Sequence, residues 1–274
     1  MFDLRLHIIF FLLCISLTEV ASQNNFRVLF YNVENLFDVH DDPLKDDNDF
    51  LPDGFMRWNE WKYREKLKSI TKVITAVGGM YSPALVGLCE IENDSVLYDL
   101  TKCSALSVQG YDFIITNSPD ERGIDVALLY QQHQFKLIEH TEYEIKFRDE
   151  RIRPTRNILH AVGTLANNDT LDVFVNHFPS RTSGKLETEQ ARIESAQVLK
   201  NRTDSILSIR TKPNLVIMGD FNDEPEDKSL LYVLKANQIK EDISTNDLYN
   251  LLYIKNKTSE YGTYKYHGIW SVID

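Results

Sequence analysis

The sequence predicts an α/β fold built on mixed β-sheets, and three observations carry that expectation. Short apolar runs recur through the chain, each ending abruptly at a polar residue, as strands buried on both faces do. Two longer stretches repeat their apolar residues at helical spacing. Strand–helix–strand alternation then gives way to consecutive strands between residues 111 and 177, which a purely parallel sheet does not accommodate. The chain has 274 residues, no internal repeat and no low-complexity linker. One layered domain of this length is the economical organisation.

The elements follow in chain order. Arg5 near the start, an apolar run over 8–17 broken only by Ser16, and the small residues Val20-Ala21-Ser22 read as a secretory signal peptide over 1–22. Its apolar core is too short to cross a bilayer, so the expectation is a mature domain over 23–274, without a membrane span after cleavage, secreted or periplasmic and monomeric. The alternative for the same segment is a short uncleaved anchor. Strands are expected at 26–32, 85–91, 111–116, 124–130, 157–165, 171–176 and 215–220. Trp58, Trp61, Leu67, Ile70, Ile74 and Val77 mark a first helix that ends at Gly78-Gly79. Leu186, Ile193, Leu199 and Ile206 mark a second over about 186–209, stopped by Pro213. Both stripes are expected to face the core.

Charge narrows the function. The chain carries 41 acidic and 30 basic residues, a formal net charge of −11. Without residues 1–22, which hold Asp3, Arg5 and Glu19, it becomes about −10. That balance argues against tight, non-specific binding of long DNA, which depends on neutralising phosphates. A site in which a metal supplies the positive charge remains compatible. Residues 38–53 hold seven aspartates and Asn48, with Pro43 and Pro52 as breakers. Their spacing fails the alternate-ligand pattern of a calcium-binding loop, so a solvated acidic loop near a site mouth is the expectation. Cys14 falls in the leader, and Cys89 and Cys103 are too few for a disulfide framework.

The polar residues at the strand ends carry the chemistry. Leu215-Val216-Ile217-Met218 stops at Gly219-Asp220, with Asn222 two positions on and Asp223 next. Asp220 and Asn222 project to one side, offering an oxygen ligand or base beside an amide donor. Four more strand ends are similar: Asn32, with Glu34 and Asn35 beyond; Glu90, with Glu92 and Asn93; Asp125 at the start of 126–130; and Asn176-His177, leading to Arg181. Each has a plain structural reading as a turn former, surface acid, strand-edge charge or half-buried histidine. Together they match what phosphate-ester hydrolysis needs: a carboxylate for a metal, amides to orient the phosphate, and a His or Asp to activate water or protonate the leaving oxygen.

The ordered segments FRVLFYNVEN (26–35), LCEIEN (88–93), RGIDVALLY (122–130), VNHFPSR (175–181), MGDFND (218–223) and GTYKYHGIWSVID (262–274) resemble the motifs of the endonuclease/exonuclease/phosphatase family, in its secreted bacterial form. The resemblance spans nearly all of the mature chain. It implies a four-layer α/β sandwich of two packed mixed β-sheets flanked by helices, with the site at the sheet edges. It also implies roles: Glu90 as the principal Mg²⁺ ligand (Mn²⁺ being an alternative), Asn32 placing metal and phosphate, His177 bonding the scissile phosphate or acting as an acid, Asp220 orienting or deprotonating the attacking water, and Asn222 binding a phosphate oxygen. Asp125 and Arg181 match positioning and phosphate-contact positions. Asp274 matches the acid that supports a catalytic histidine, and relatives continue past it with a further strand and an Asp-His pair. From the resemblance the chain is therefore expected to be C-terminally incomplete, with its last strand or strands missing and its activity impaired.

The leading expectation is a metal-dependent phosphodiesterase or nuclease acting on nucleic acid or a small phosphoester by in-line attack of water. The alternative is a non-catalytic relative that binds a phosphorylated or glycan ligand at the same edge. No Gly-x-x-x-x-Gly-Lys loop, Gly-x-Ser-x-Gly elbow or His-Glu-x-x-His pair supports another enzyme class.

Overall fold

A computed structural model describes residues 26–239, 244–253 and 261–274; the expected leader over 1–22 lies outside the described residues. Two four-stranded mixed sheets form the centre. The first has the order β1–β2–β4–β3, from β1 (Val28–Leu36), β2 (Leu85–Ile91), β3 (Tyr111–Ile115) and β4 (Asp125–Gln131). The second has the order β5–β6–β7–β8, from β5 (Phe135–Tyr143), β6 (Ile158–Leu165), β7 (Thr170–His177) and β8 (Leu215–Asp220). In each sheet one pair is parallel, β1 with β2 and β7 with β8, and the other pairs are antiparallel.

Period-2 alternation sorts the apolar runs into separate cores. In β2, Leu85 and Cys89 face the second sheet, whereas Val86, Leu88 and Ile91 face helices. The core between the sheets is built from Leu85, Cys89, Val126, Leu128, Phe135, Leu159, Val173, Val175 and Met218. Outside the first sheet lie α1 (Glu60–Gly78) and α2 (Asp94–Lys102), contributing Leu67, Ile70, Ile74, Val96, Leu97 and Leu100. Outside the second lies α3 (Glu189–Ile209), whose Ala196, Leu199 and Ile206 pack on Phe174 and Phe178. The layers are therefore helix, sheet, sheet, helix, the expected four-layer sandwich.

Several sequence expectations need correction. The first strand does not stop at Asn32 but runs to Leu36, rejoining β2 at Ile91 after a register shift. β5 was not anticipated, because Phe-Lys-Leu-Ile-Glu-His-Thr-Glu-Tyr covers an edge and is mostly polar. Trp61 and Val77 do not face the core: the buried face of α1 is set by Tyr63, Leu67, Ile70 and Ile74, and Trp61 lies well round the cylinder from it. Leu186 precedes α3, in a turn, and is exposed. The acidic segment is not uniformly solvated either. Asp47 is buried and accepts the Asp42 N–H at 2.9 Å, which folds the loop back on itself. No helix among the described residues is long and apolar enough to cross a membrane.

β9 (Tyr264–Tyr266) and β10 (Ile269–Ser271) form a hairpin just before Asp274. Its turn, His267-Gly268, has φ of 47° and 85°, the signs of a two-residue hairpin turn with both central residues left-handed.

Candidate active site

Both parallel strand pairs end at the same edge. Asn32 pairs with Cys89 across β1 and β2, and His177 pairs with Asp220 across β7 and β8. Glu90 sits in a bulge: Cys89 pairs with Val126 and Ile91 with Asp125, leaving Glu90 unpaired with φ of 64°. A bulge re-aims the side chain it carries. Left-handed backbone at non-glycine residues is costly and concentrates where it is needed, and here Glu34, Asn35, Glu90 and Asn222 all adopt it at one edge. Gly219 has a packing reason: a Cβ there would strike the carbonyl oxygen of Asn176.

The site is centred on one amide. Asn32 Nδ2 donates to Glu90 Oε1 at 3.2 Å and to Asp220 Oδ2 at 3.0 Å, joining residues far apart in sequence and from opposite sheets. His177 Nε2 lies 3.8 Å from the same Glu90 oxygen and 3.9 Å from the same Asp220 oxygen. Asp220 Oδ1 accepts the Asn222 N–H at 2.9 Å. Asp274 arrives beside them with its backbone N–H on Thr263 Oγ1 at 3.2 Å. Burial, with the repulsion of Asp274 next, pushes the Asp220 carboxyl up to about 7. Burial likewise holds His177 well below the ordinary imidazole value, with Arg156 and Arg122 adding positive field. His177 is thus neutral at pH 7, and its Nδ1 is buried with no hydrogen-bond partner among the described residues.

These residues suit a hard divalent cation. Glu90 and Asp274 both raise the proton affinity of Asp220, Glu90 raises that of Asp274, and none of the three forms an ion pair with Lys or Arg among the described residues. No group of three or more His, Cys, Asp or Glu side chains among the described residues is placed to hold a metal ion together. Mg²⁺ does not need one, since it keeps several waters and takes one or two carboxylates.

The other expected residues sit around this centre. Asn222 does not aim its amide at open space; Nδ2 donates to the Phe178 carbonyl at 3.0 Å, pinning the turn after β8 to the turn after His177. Arg181 binds the Asn222 carbonyl through Nε and lies 3.4 Å from Asp227, so its guanidinium is held by the 222–227 loop. Asp125 makes no hydrogen bond or ion pair with Glu90, His177 or Asp220 among the described residues. It accepts from Thr116 Oγ1 at 2.6 Å, from the Ser118 N–H at 2.9 Å and from Ser118 Oγ, organising a neighbouring loop beside a cavity of about 520 Å³.

Asp125 makes a pH prediction. Burial pushes its carboxyl up to about 6 despite the three donors. The folded state therefore favours the neutral form; this contribution to stability is full below about pH 4 and lost as pH rises through 6, worth about 3 kcal/mol. Urea unfolding of wild type and Asp125→Asn between pH 4 and 7 should show this fall in wild type only. Parallel pH profiles would contradict the attribution.

Arg156 was not singled out from the sequence. It is fully buried, donates to the Phe178 carbonyl at 2.7 Å and to Asp120 at 3.2 Å, and holds the turn behind His177. Its signal was available: an arginine at the mouth of the apolar strand 158–165, on the edge where the other polar groups gather. Lys66, in the field of Glu34 and Glu90, carried no such signal, because a lysine on a surface helix is ordinary.

The model of the Endonuclease/Exonuclease/phosphatase family matches residues 27–274. The chain belongs to this family. Among solved structures, a mannosyl-6-phosphatase of Bacteroides thetaiotaomicron is 18% identical with TM-score 0.54, covering 76% of this chain and 70% of that one. An endonuclease/exonuclease/phosphatase family protein of the same organism is 17% identical with TM-score 0.53, covering 76% and 68%. A conserved protein of unknown function from Enterococcus faecalis is 16% identical with TM-score 0.54, covering 77% and 72%. The catalytic domain of human Nocturnin is 21% identical, with TM-score 0.49, and the match covers 62% of this chain and 61% of that domain. At these identities the first three structures establish the shared fold. No curated protein matches by sequence.

Proposed function

We propose that this family member is a divalent-cation-dependent phosphodiesterase. The observation that carries the reading is the Asn32 amide held between Glu90 and Asp220, with His177 against the same two oxygens. Glu90 is the residue that would hold the ion, with Asn32 and Asp220 beside it. A bound Mg²⁺ would polarise a phosphoryl oxygen and offset the charge that develops on it.

The remaining chemistry belongs to the chain. Asp220, once ionised, takes a proton from the attacking water, and a carboxylate with a pKa near 7 is matched to that task at neutral pH. Neutral His177 donates from its ring to a phosphoryl oxygen and carries no charge that Glu90 would have to offset. Asn32 keeps Glu90 and Asp220 in register across the two sheets. Asn222, Arg181 and Arg156 hold the turns that present Asp220 and His177, and Asp274 adds negative charge that raises the proton affinity of Asp220.

The test is release of nitrophenol from bis(p-nitrophenyl) phosphate and, in parallel, from p-nitrophenyl phosphate. Turnover of the diester is expected with Mg²⁺ or Mn²⁺ and should be abolished by chelator. Turnover that ignores chelator, or that favours the monoester, would reject the proposal as stated.

A further inference from the structure

We infer that the β9–β10 hairpin is a stacking platform that selects phosphodiesters carrying a nucleobase. The inference rests on the phosphodiesterase reading and adds the substrate class.

The hairpin is short and bare. Its strands have three residues each, and a two-stranded ribbon of that size has no apolar core of its own. Cross-strand pairing sorts its side chains: Tyr266 opposes Ile269 and Tyr264 opposes Ser271, placing Tyr264, Tyr266 and Ile269 on one face. These three are 44%, 62% and 72% exposed, respectively. The tyrosine rings lie nearly parallel, 12° apart in plane and 6.3 Å between centroids. Lys265 and Trp270 occupy the other face, with the ammonium 5.2 Å from the indole ring centre. Exposed aromatic rings are one means by which proteins take up unpaired bases.

Location and charge identify the occupant. Thr263, just before β9, receives the Ile273 and Asp274 N–H groups on its hydroxyl at 3.1 and 3.2 Å, so the root of the hairpin is tied to the catalytic edge. Phe221, one residue past Asp220, donates its N–H to the Ile273 carbonyl at 2.8 Å. Ser271, which pairs with Tyr264, is three residues from Asp274, a reach of at most about 10 Å. Residues 261–273 contain no acid but include Lys265 and His267, in a chain whose formal charge is −11. An anionic phosphodiester approaching the carboxylate-lined edge meets an acid-free flank there. A base on that diester can stack on the Tyr264–Tyr266 face while its phosphate reaches the site.

Titration calorimetry with Mg²⁺ tests this, using the Asp220→Ala chain so that ligand survives. The ligands are a thymidine trinucleotide and the matching trimer of abasic deoxyribose phosphates. The base-bearing trimer is expected to bind at least about tenfold more tightly. Tyr264→Ala and Tyr266→Ala should each remove most of that preference without weakening the abasic trimer, and Tyr→Phe at either position should keep it. Because both rings are exposed, these substitutions do not threaten folding. Equal affinity for the two trimers, a preference that survives both alanine variants, or tighter binding of a sugar phosphodiester than of the thymidine trimer would overturn the inference. Hydrolysis of the abasic trimer by the wild-type chain is followed separately. Efficient turnover with no base preference would leave the phosphodiesterase reading standing and remove this one; base-selective binding without turnover would do the reverse.

Discussion

Replacing Asp220 by alanine is expected to lower kcat for diester hydrolysis by about 10²- to 10⁴-fold, the range attributable to a positioned general base. The carboxylate is buried, is bonded to Asn32 and to the Asn222 N–H, and has a proton affinity tuned to neutral pH by burial and by Asp274. The loss should fall on kcat more than on KM, since Glu90, Asn32 and His177 remain to bind the phosphate. Folding gives an independent readout. The substitution removes two hydrogen bonds, from Asn32 and from the Asn222 N–H, each worth about 1 kcal/mol, but also removes a buried carboxylate whose charge Asp274 and Glu90 oppose. Thermal unfolding in chelator should therefore occur no lower than in wild type. Activity within threefold of wild type would refute the role of Asp220, and a large drop in melting temperature would show that the carboxylate serves the fold instead.

The second large effect is expected far from any substrate atom. Arg192 on α3 is fully buried; its Nε donates to Asp223 Oδ1 at 2.6 Å, Nη1 to Thr188 at 2.6 Å and Nη2 to the Lys185 carbonyl at 2.7 Å. Asp223 is 1% exposed and takes its remaining bond from Ser229 Oγ at 2.6 Å. Burial pushes the Asp223 carboxyl up, while Ser229 and Arg192 pull it down. Removing Arg192 leaves Asp223 buried with only Ser229 and the more distant Arg181, at 3.8 Å, to offset its charge, and breaking such a pair costs about 3 to 5 kcal/mol. Arg192→Met should destabilise by that amount in urea unfolding, whereas Arg192→Met with Asp223→Leu should recover most of it, because an apolar pair replaces the ion pair. A single variant that loses less than 1 kcal/mol would mean that Asp223 is already neutral. Asp223 follows Asn222 directly, so the single variant should also loosen the turn that presents Asp220 and lower kcat.

Much of the site was legible because strand ends are legible. Apolar runs that stop at Asp220, His177 and Glu90 mark where a sheet edge begins, and buried α/β strands carry chemistry at that edge. Fold class followed from the same runs. Other features were not legible for physical reasons. The β1 extension past Asn32 reads as polar loop, and it persists because left-handed Glu34 and Asn35 allow a register shift that local sequence does not specify. The spacing offers Asn222 as a phosphate donor, but it does not announce that one of the two amide N–H groups binds the Phe178 carbonyl, a partner 44 residues away. Leu186 and Trp61 matched a helical stripe, but burial was settled by the sheet each helix meets.

By itself, then, the sequence determined most of the strands, the two long helices and the polar groups that stand at the strand ends, though not β5 or the end of β1, because side-chain period and apolar run length are local properties. Only the tertiary structure decided which ends meet: that Asn32 bridges Glu90 and a residue 188 positions away, that a bulge turns Glu90 toward them, and that Arg156 and Arg192 brace the turns from inside. The reason is that these contacts depend on how two sheets register across one shared core, and that register is chosen by packing over the whole domain rather than by the residues that make the site.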